Sequence, residues 1–594
     1  MTPSPRHALV ALGALLVASG PAVAQDEPAF CLTILHNNDA ESQLLNAGSE
    51  LENYGGAATF VALVELQRER AATDGCSALE AGDVPRAVVT LSSGDNFLAG
   101  PEFSASLEKG PPFYDSLVVN AIDYDALAIG NHEFDFGPEV LADFIEGVDA
   151  DVPFLSANLD LSGEPRLQAL ADAGRIAGSV VLEKAGEKIA VIGATTEDLP
   201  FISSPRGVVV GDVAAAIKEE LASLPDDVDK VILISHLQSV NEDVELLKEL
   251  EGIDVAIAGG GDELLANEDT ALLPGDAEEV AGSYPMMAPD ATGKDIPVVT
   301  TSGSLKYLGH LEVLFDADGG VMALAGDPVR VVQKGEDDAV APDAEVAAAV
   351  GEPVAAALEE AAGTVVGTTE VPLNGQRGDI RTQETNLGDL IADALLAKAR
   401  QAGGEFGIEK VDIGLQNGGG IRNDSVLPAG EVSELDTFDV LPFSNFVTVV
   451  EDLSPSHLKL IMENAVSAVE DVGGAFGQIA GFTLVYDPSA QKLELDDAGA
   501  VVSEGQRVKE IALDDGTRLV EGGAPVEGAP AVNLATIDFL ARGGDQYPFG
   551  DAVFTPVGIS YQQALSRFIA EDLGGKVTAD AYPEGGSGRI KTVE

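Results

Sequence analysis

Residues 125–135 read DALAIGNHEFD. Ala126 to Ile129 is a short apolar run of the kind a buried strand carries, and it stops at Gly130. Asn131, His132, Glu133 and Asp135 follow at once. An amide, an imidazole and two carboxylates therefore stand at a strand's carboxyl end, where open α/β sheets place their sites. A polar turn that caps a helix is the plain alternative, but it does not call for six specified residues in a row.

The same grammar recurs along the first half of the chain, in LTILHNND (32–39), AVVTLSSGD (87–95), KIAVIGATT (188–196), KVILISHL (230–237) and DVAIAGGGDE (254–263). Each apolar run ends in small or polar residues, and stretches such as 57–70 between them carry helical periodicity. Six strands of this kind predict a layered α/β domain with one active edge. The polar, proline-containing KGEDDAVAPD (334–343) and the Ala/Glu-rich helix that follows mark a boundary. The expected organisation is a catalytic domain over 25–333, a linker and hinge helix over 334–362, and a second α/β domain over 363–594. The acidic turn Asp316–Gly320 lacks full calcium-loop spacing and reads as a hairpin turn.

Composition bounds the partners. The chain has 594 residues, 45% of them hydrophobic, with 100 acidic against 33 basic and a formal net charge of −67. Two ordered domains are the default at this length. Binding to a nucleic-acid polymer is excluded, because a polyanion would be repelled over the whole surface.

The N-terminus reads as a signal peptide over 1–24. Arg6 and His7 precede an apolar run, Ala8 to Ala18, too short to span a bilayer, and Ala22-Val23-Ala24 offers a cleavage site. No membrane insertion is expected, and the mature chain is expected to be periplasmic or extracellular. Cys31 and Cys76 are the two cysteines, and pairing is the expected state in an exported protein, with two buried free thiols as the alternative.

The strand ends present an inventory: Asp39 and Glu41, then Asp95, then Asn131 and His132, then His236, then Asp262 and Glu263. Two divalent cations sharing a bridging carboxylate need roughly this set to activate a water and clamp a phosphate. In the second half, Arg377, Arg381 and Arg422 adjoin Gly-rich loops in a chain poor in cations. Recognition of phosphate or carboxylate is the reading, and ordinary salt bridging the alternative. His36, His310 and His457 read as structural.

The strand ends resemble the calcineurin-like metallophosphoesterase superfamily. LTILHNNDAES, SSGDN, GNHEFD and ISHL, with TNLGDLIADAL (385–395), QNGGGIR (416–422), LPFSN (441–445) and DFLARGGDQY (538–547), narrow this to a resemblance to the two-domain 5′-nucleotidase family. Its members include periplasmic UDP-sugar hydrolases and 2′,3′-cyclic-nucleotide phosphodiesterases. The resemblance covers about residues 30 to 590. It implies an α/β fold, with an N-terminal layered α/β-sandwich metallophosphoesterase domain joined by a helical linker to a C-terminal α/β nucleotide-binding domain.

By resemblance, Asp39 and position 41 hold one metal, Asp95 bridges, and Asn131 and His236 hold the second. His132, oriented by Asp135, stabilises charge on the phosphoryl group or leaving oxygen, and a metal-bridging hydroxide attacks phosphorus. The arginines hold phosphates or the base and ribose region. Phe443 and Phe539 match the aromatics that sandwich the base, Asn417 contacts it, and Asp545 accepts from ribose hydroxyls. The implied substrate is a nucleotide, most simply a 5′-mononucleotide.

The chain departs from the family at the metals. Glu41 stands for the usual histidine, and Gly261 and Glu263 occupy two further ligand positions, with Asp262 between them. Oxygen ligands favour Mn, Mg, Ca or Fe over Zn for the two divalent metal ions. Two alternatives stay open: a broad alkaline phosphatase or phosphodiesterase, including action on nucleotide sugars or cyclic nucleotides, and a catalytically dead nucleotide-binding protein. The stretch 264–297, containing SYPMMAP, is longer than a compact family loop and is a candidate cover for the site.

Overall fold

In β1 (Pro28–Asn37) alternate residues point to opposite faces, so Phe30, Leu32 and Ile34 enter one buried cluster while Leu35 enters another. That strand sits inside a sheet whose layers are covered on both sides. A computed structural model describes residues 27–593, apart from 49–50, 444, 496–500 and 551. The signal peptide read over 1–24 lies outside the described residues.

The further strands of the first unit are β2 (Arg86–Ser92), β3 (Ala126–Ala128), β4 (Glu187–Thr195), β5 (Lys230–His236), β6 (Val255–Gly259), β7 (Tyr307–Asp316) and β8 (Val321–Gly326). One sheet runs β8-β7-β1-β2-β3 and on to short strands at 154–155 and 176–177. The other runs from 286–289 through 295–299 to β6-β5-β4 and 179–184. β1, β2 and β3 are mutually parallel, as are β4, β5 and β6. Their carboxyl ends therefore share an edge: Asn37 pairs with Ser92, and His236 with Thr195 and Gly259.

One core lies between the sheets, and a second lies between β1–β3 and helices that include α1 (Ala57–Asp74). All seven residues of β5 are buried, which is why Val231 to Ile234 read as a continuous apolar run rather than an alternation. Each fully buried Val, Leu or Ile contributes about 1.5–3 kcal/mol. β7 and β8 pair antiparallel across Asp316–Gly320, so the acidic turn is a hairpin turn. Cys31 and Cys76 form a disulfide. Within the 264–297 stretch, residues 286–289 pair with 295–299 and extend the second sheet's edge.

Residues 344–363 form a helical segment ending in α2 (Glu352–Gly363). Val346, Val350 and Val354 stand four apart and are buried in the first unit's core, so this face is docked there. The second unit has one large core spanning Val371 to Tyr582. α3 (Asn386–Ala402) packs on a five-stranded sheet that contains β9 (Ile413–Asn417), β10 (Phe446–Leu453) and β11 (Val532–Ile537). β11 leads directly into α4 (Asp538–Ala541), which carries Phe539. Among the described residues no helix is long and apolar enough to cross a membrane.

Candidate active site

Just past the strand ends several residues hold left-handed backbone. Asp39, Glu41, Ser42, Asp95, Gln238 and Asp262 all have positive φ, between 50° and 80°. Non-glycine residues adopt this region at a cost, and such residues cluster where side chains must be aimed. Ligand atoms of Asp39, Asp95 and His236 lie within 4.8 Å of one another, and all three residues are buried. His236 Nε2 is 2.9 Å from Asp95 Oδ2, 3.0 Å from Asn131 Oδ1 and 3.9 Å from Asp39 Oδ1. Its Nδ1 donates to the Ser93 carbonyl at 2.7 Å, which fixes the tautomer and leaves Nε2 as the ligating atom.

Glu133 organises the loops around this cluster. Its carboxylate accepts from the backbone N–H groups of Asp95 (3.0 Å), Asn96 (2.7 Å) and Gly130 (2.7 Å). Asp39 accepts from Asn38 Nδ2 at 2.6 Å and from the Gly260 N–H at 3.0 Å. His132 donates its backbone N–H to Asp95 Oδ1 at 2.8 Å. Its ring Nδ1 lies 2.7 Å from Asp135 Oδ2, and Ser203 Oγ donates to Asp135 Oδ1 at 2.8 Å. His132 Nε2 lies 3.8 Å from Asp95 Oδ2 and so faces the cluster.

The electrostatics follow from several carboxylates sharing one edge. Burial, offset in part by His236, pushes Asp39 up to about 6. Burial and the neighbouring Asp262 carboxylate push Glu41 well above the usual range. Partial desolvation raises Asp262, which lies at the exposed rim of the group. Asp95 goes the other way: burial opposes its ionisation, but the two imidazoles beside it outweigh that. Burial works against a charged His236, yet Asp95 and Asp39 lift it to about 10. Two buried carboxylates, Asp39 and Asp95, with half-buried Glu41 beside them and an imidazole nitrogen and an amide oxygen turned toward them, are a donor set that fits divalent cations.

Two expected residues are placed elsewhere. Glu263 Oε1 accepts from Ser239 Oγ at 2.9 Å and from the Val240 N–H at 3.3 Å. Its carboxylate thus sits at the N-terminus of helix Val240–Leu247, whose orphan N–H groups draw it, rather than in the converging group. Asp262, one residue back, accepts from the Gly303 N–H at 3.2 Å and is near enough to Glu41 to raise it. Arg377 is exposed, with its backbone N–H on Asp424, and does not line the cavity described next.

A cavity of about 420 Å³ lies between the two units. Asn131, His132, Asp135, Ile202 and Gln238 line it from the first, and Arg381, Asn417, Arg422, Phe443, Phe539 and Asp545 from the second. None of residues 264–297 lines it. Asn417 Nδ2 donates to Asp545 Oδ2 at 2.6 Å, and burial raises Asp545. The Arg422 guanidinium lies 5.3 Å from the centre of the Phe443 ring. Arg381 is buried with no partner for Nε; burial, then Arg377 and Arg422, make its positive charge harder to hold. An anion in the cavity would relieve that. Arg542, which follows α4, donates to Ser204 Oγ at 3.0 Å and so ties the second unit to the segment that holds Asp135.

Gln238, Ser203 and Glu133 take roles here that the strand-end inventory does not include. Glu133 lies inside GNHEFD and Gln238 directly after ISHL, so position was the available signal. His36, His310 and His457 are structural: His36 Nε2 pairs with the Tyr284 hydroxyl at 2.8 Å, His310 lies within β7, and His457 Nε2 donates to the Pro548 carbonyl.

Comparison with known proteins bears on the whole chain. Residues 365–551 match the family "5′-nucleotidase, C-terminal domain". The mouse 5′-nucleotidase is 30% identical over 498 residues, 81% of this chain and 79% of that protein. The trifunctional nucleotide phosphoesterase protein YfkN of Bacillus subtilis is 31% identical over 556 residues, 88% of this chain. The match takes in 32% of that protein, so the chain spans about a third of its length. The crystal structure of a 5′-nucleotidase precursor from Thermus thermophilus is 29% identical, with a TM-score of 0.65 over 95% of this chain and 100% of that one.

Proposed function

The chain belongs to the two-domain 5′-nucleotidase family of metal-dependent phosphoester hydrolases, and on that premise we propose that it releases phosphate from 5′-mononucleotides outside the cytoplasm. The observation that carries this reading is the shared cavity. His132 and Asn131 on one wall face the same space as Phe443, Phe539, Asn417 and Asp545 on the other. A void in the range of small-molecule sites, about 300–1,000 Å³, bounded by a phosphoryl-transfer edge and by aromatic and amide groups, suits a nucleotide.

In this reading Asp95, Asn131 and His236 hold one divalent cation, and Asp39, Glu41, Asp95 and Asp262 the other. The oxygen-rich set favours Mn²⁺, Mg²⁺, Ca²⁺ or Fe over Zn²⁺. When bound, the cations supply Lewis acidity toward the phosphoryl oxygens and acidify a water. The chain's own residues do the rest. Glu133 keeps the Asp95 and Gly130 loops in register through three backbone N–H groups. Asp135 fixes the ring of His132, so that Nε2 is presented to the ester and donates a proton toward the leaving oxygen. Phe443 and Phe539 stack on the base, and Arg381 and Arg422 supply positive charge to the wall. The boundaries at 333/334 and 362/363 are part of the proposal. Export is supported by the Cys31–Cys76 disulfide, a bond that persists in oxidising compartments.

The test is a substrate panel on the metal-reconstituted protein: AMP, 2′,3′-cyclic AMP, UDP-glucose and p-nitrophenyl phosphate, with phosphate and nucleoside quantified. A kcat/KM for AMP at least tenfold above the others supports the proposal. Equal turnover of p-nitrophenyl phosphate would make the protein a broad phosphatase. No turnover of any of them would make it a binding protein.

A further inference from the structure

β5 ends at His236, and two residues later the chain bends through Gln238 at φ +80°. A glutamine in the left-handed region is costly, on the order of 1–3 kcal/mol, and persists where the surroundings fix it. The bend brings the Gln238 amide back to the strand ends. Its Nε2 lies 2.6 Å from Asn131 Oδ1, the same oxygen that lies 3.0 Å from His236 Nε2. The amide also lines the cavity beside His132.

The adjacent strand end leaves this place open. β6 ends at Gly259, and Gly260 and Gly261 follow, none of which carries a side chain. A Cβ placed on Gly260 would lie 2.9 Å from both His236 Nε2 and Gln238 Nε2, so the amide fills the space a side chain there would take. The next two carboxylates turn away from this side: Asp262 lies toward Glu41 and accepts from the Gly303 N–H, and Glu263 accepts from Ser239 Oγ. Asp95, Asn131 and His236 alone offer one cation three protein donors, and the Gln238 amide stands 2.6 Å from Asn131 Oδ1.

We propose that Gln238 is the fourth protein ligand of the cation held by Asp95, Asn131 and His236, through its amide oxygen. This rests on the dimetal reading above. The terminal torsion of a glutamine is broad and roughly two-fold, so one half-turn exchanges its nitrogen and oxygen ends. The nitrogen end donates to Asn131, and the oxygen end serves a cation drawn to the same oxygen. An amide oxygen is neutral and hard. Gln238 thereby replaces an imidazole without adding negative charge to an edge already crowded with carboxylates, and it moves this position away from Zn²⁺.

The test is isothermal titration of the metal-stripped full chain with Mn²⁺, without substrate, on wild type, Gln238→Leu, Gln238→Asn and Gln238→His. Thermal melts in chelator confirm folding, and the shorter Asn variant serves if Leu does not fold. Wild type is expected to bind two Mn²⁺. Leu and Asn are expected to weaken one of the two sites tenfold or more and leave the other unchanged. The His variant is expected to retain both sites and to gain Zn²⁺ over Mn²⁺. Unchanged affinities in Leu and Asn would overturn the proposal, all the more if KM for AMP at saturating Mn²⁺ rose instead, which would make Gln238 a substrate contact. A wild type that binds a single Mn²⁺ would overturn it as well. Because binding is read without AMP, a protein that binds two cations through Gln238 and hydrolyses nothing would sink the functional reading alone.

Discussion

Truncating Phe539 separates recognition of the base from chemistry at phosphorus. The ring is half-buried, and one side rests on Gly544, where a Cβ would come within 2.5 Å of its atoms. The ring also lines the cavity with Phe443. Stacking of a base on an aromatic ring is worth about 1–3 kcal/mol by alanine substitution. Phe539→Ala is therefore expected to lower kcat/KM for AMP by about 5- to 150-fold. Phe443→Ala removes the second ring and also the platform under Arg422, 5.3 Å from its centre. Its loss is expected to match or exceed that of Phe539→Ala. The two losses will not simply add, since both rings would hold one base. The assay is steady-state phosphate release from AMP beside ribose 5-phosphate, which keeps the sugar and ester and lacks the base. p-Nitrophenyl phosphate is a poorer control because its own ring stacks. For ribose 5-phosphate both variants should stay within about threefold of wild type. Equal losses on the two substrates, in variants shown to be folded by melting, would refute the base clamp.

Three further outcomes are expected. Asp135→Asn replaces the acceptor on His132 Nδ1 by a group that can donate, so kcat for AMP should fall by about 10²- to 10⁴-fold with KM changed little; an unchanged kcat would remove His132 from proton transfer. Asp115 is buried, and burial pushes it up to about 6, with the Ser42 and Ser106 hydroxyls partly offsetting this. A carboxyl raised in the fold contributes stability below the unfolded value, near 4, and loses it as pH rises toward 6, about 3 kcal/mol in all. Asp115→Asn should thus match wild type in denaturant melts near pH 4 and exceed it by about 1–3 kcal/mol at pH 8; a less stable variant at pH 8 would contradict this. Replacing both Cys31 and Cys76 by Ser opens a loop of 45 residues' separation and should cost about 3–4 kcal/mol in the chain-entropy model, read from chemical denaturation; a loss below about 1 kcal/mol would show the bridge idle.

Much of the edge was legible because strand and site are neighbours in sequence. Asp39, Asp95, Asn131 and His236 each follow or end an apolar run; parallel pairing aligns the first three ends, and the facing sheet brings His236 to them. The base-facing residues were legible through long motifs that share one cavity. What escaped depends on contacts between distant segments. Glu263 stands at a ligand position in the chain, but a helix that starts 23 residues earlier offers its N–H groups and captures the carboxylate. Gln238 has no apolar or polar pattern to flag it; its position follows from a left-handed bend that periodicity does not encode. Arg377 and Arg381 stand four apart in NGQRGDIR, but a single short turn separates an exposed side chain from a buried one. The docking of the 344–363 helix on the first unit depends on three valines whose partners lie throughout that unit's core.

The most direct test of the account is restoration of AMP hydrolysis by metal. The chain is stripped by chelation, Mn²⁺, Mg²⁺, Ca²⁺, Fe²⁺ and Zn²⁺ are returned singly and in pairs, and phosphate release from AMP is followed in wild type and Asp95→Ala. Activity is expected to return with at least one of the oxygen-preferring cations, above Zn²⁺, and to be absent from Asp95→Ala under every condition. No release with any cation, or an Asp95→Ala protein as active as wild type, would contradict it.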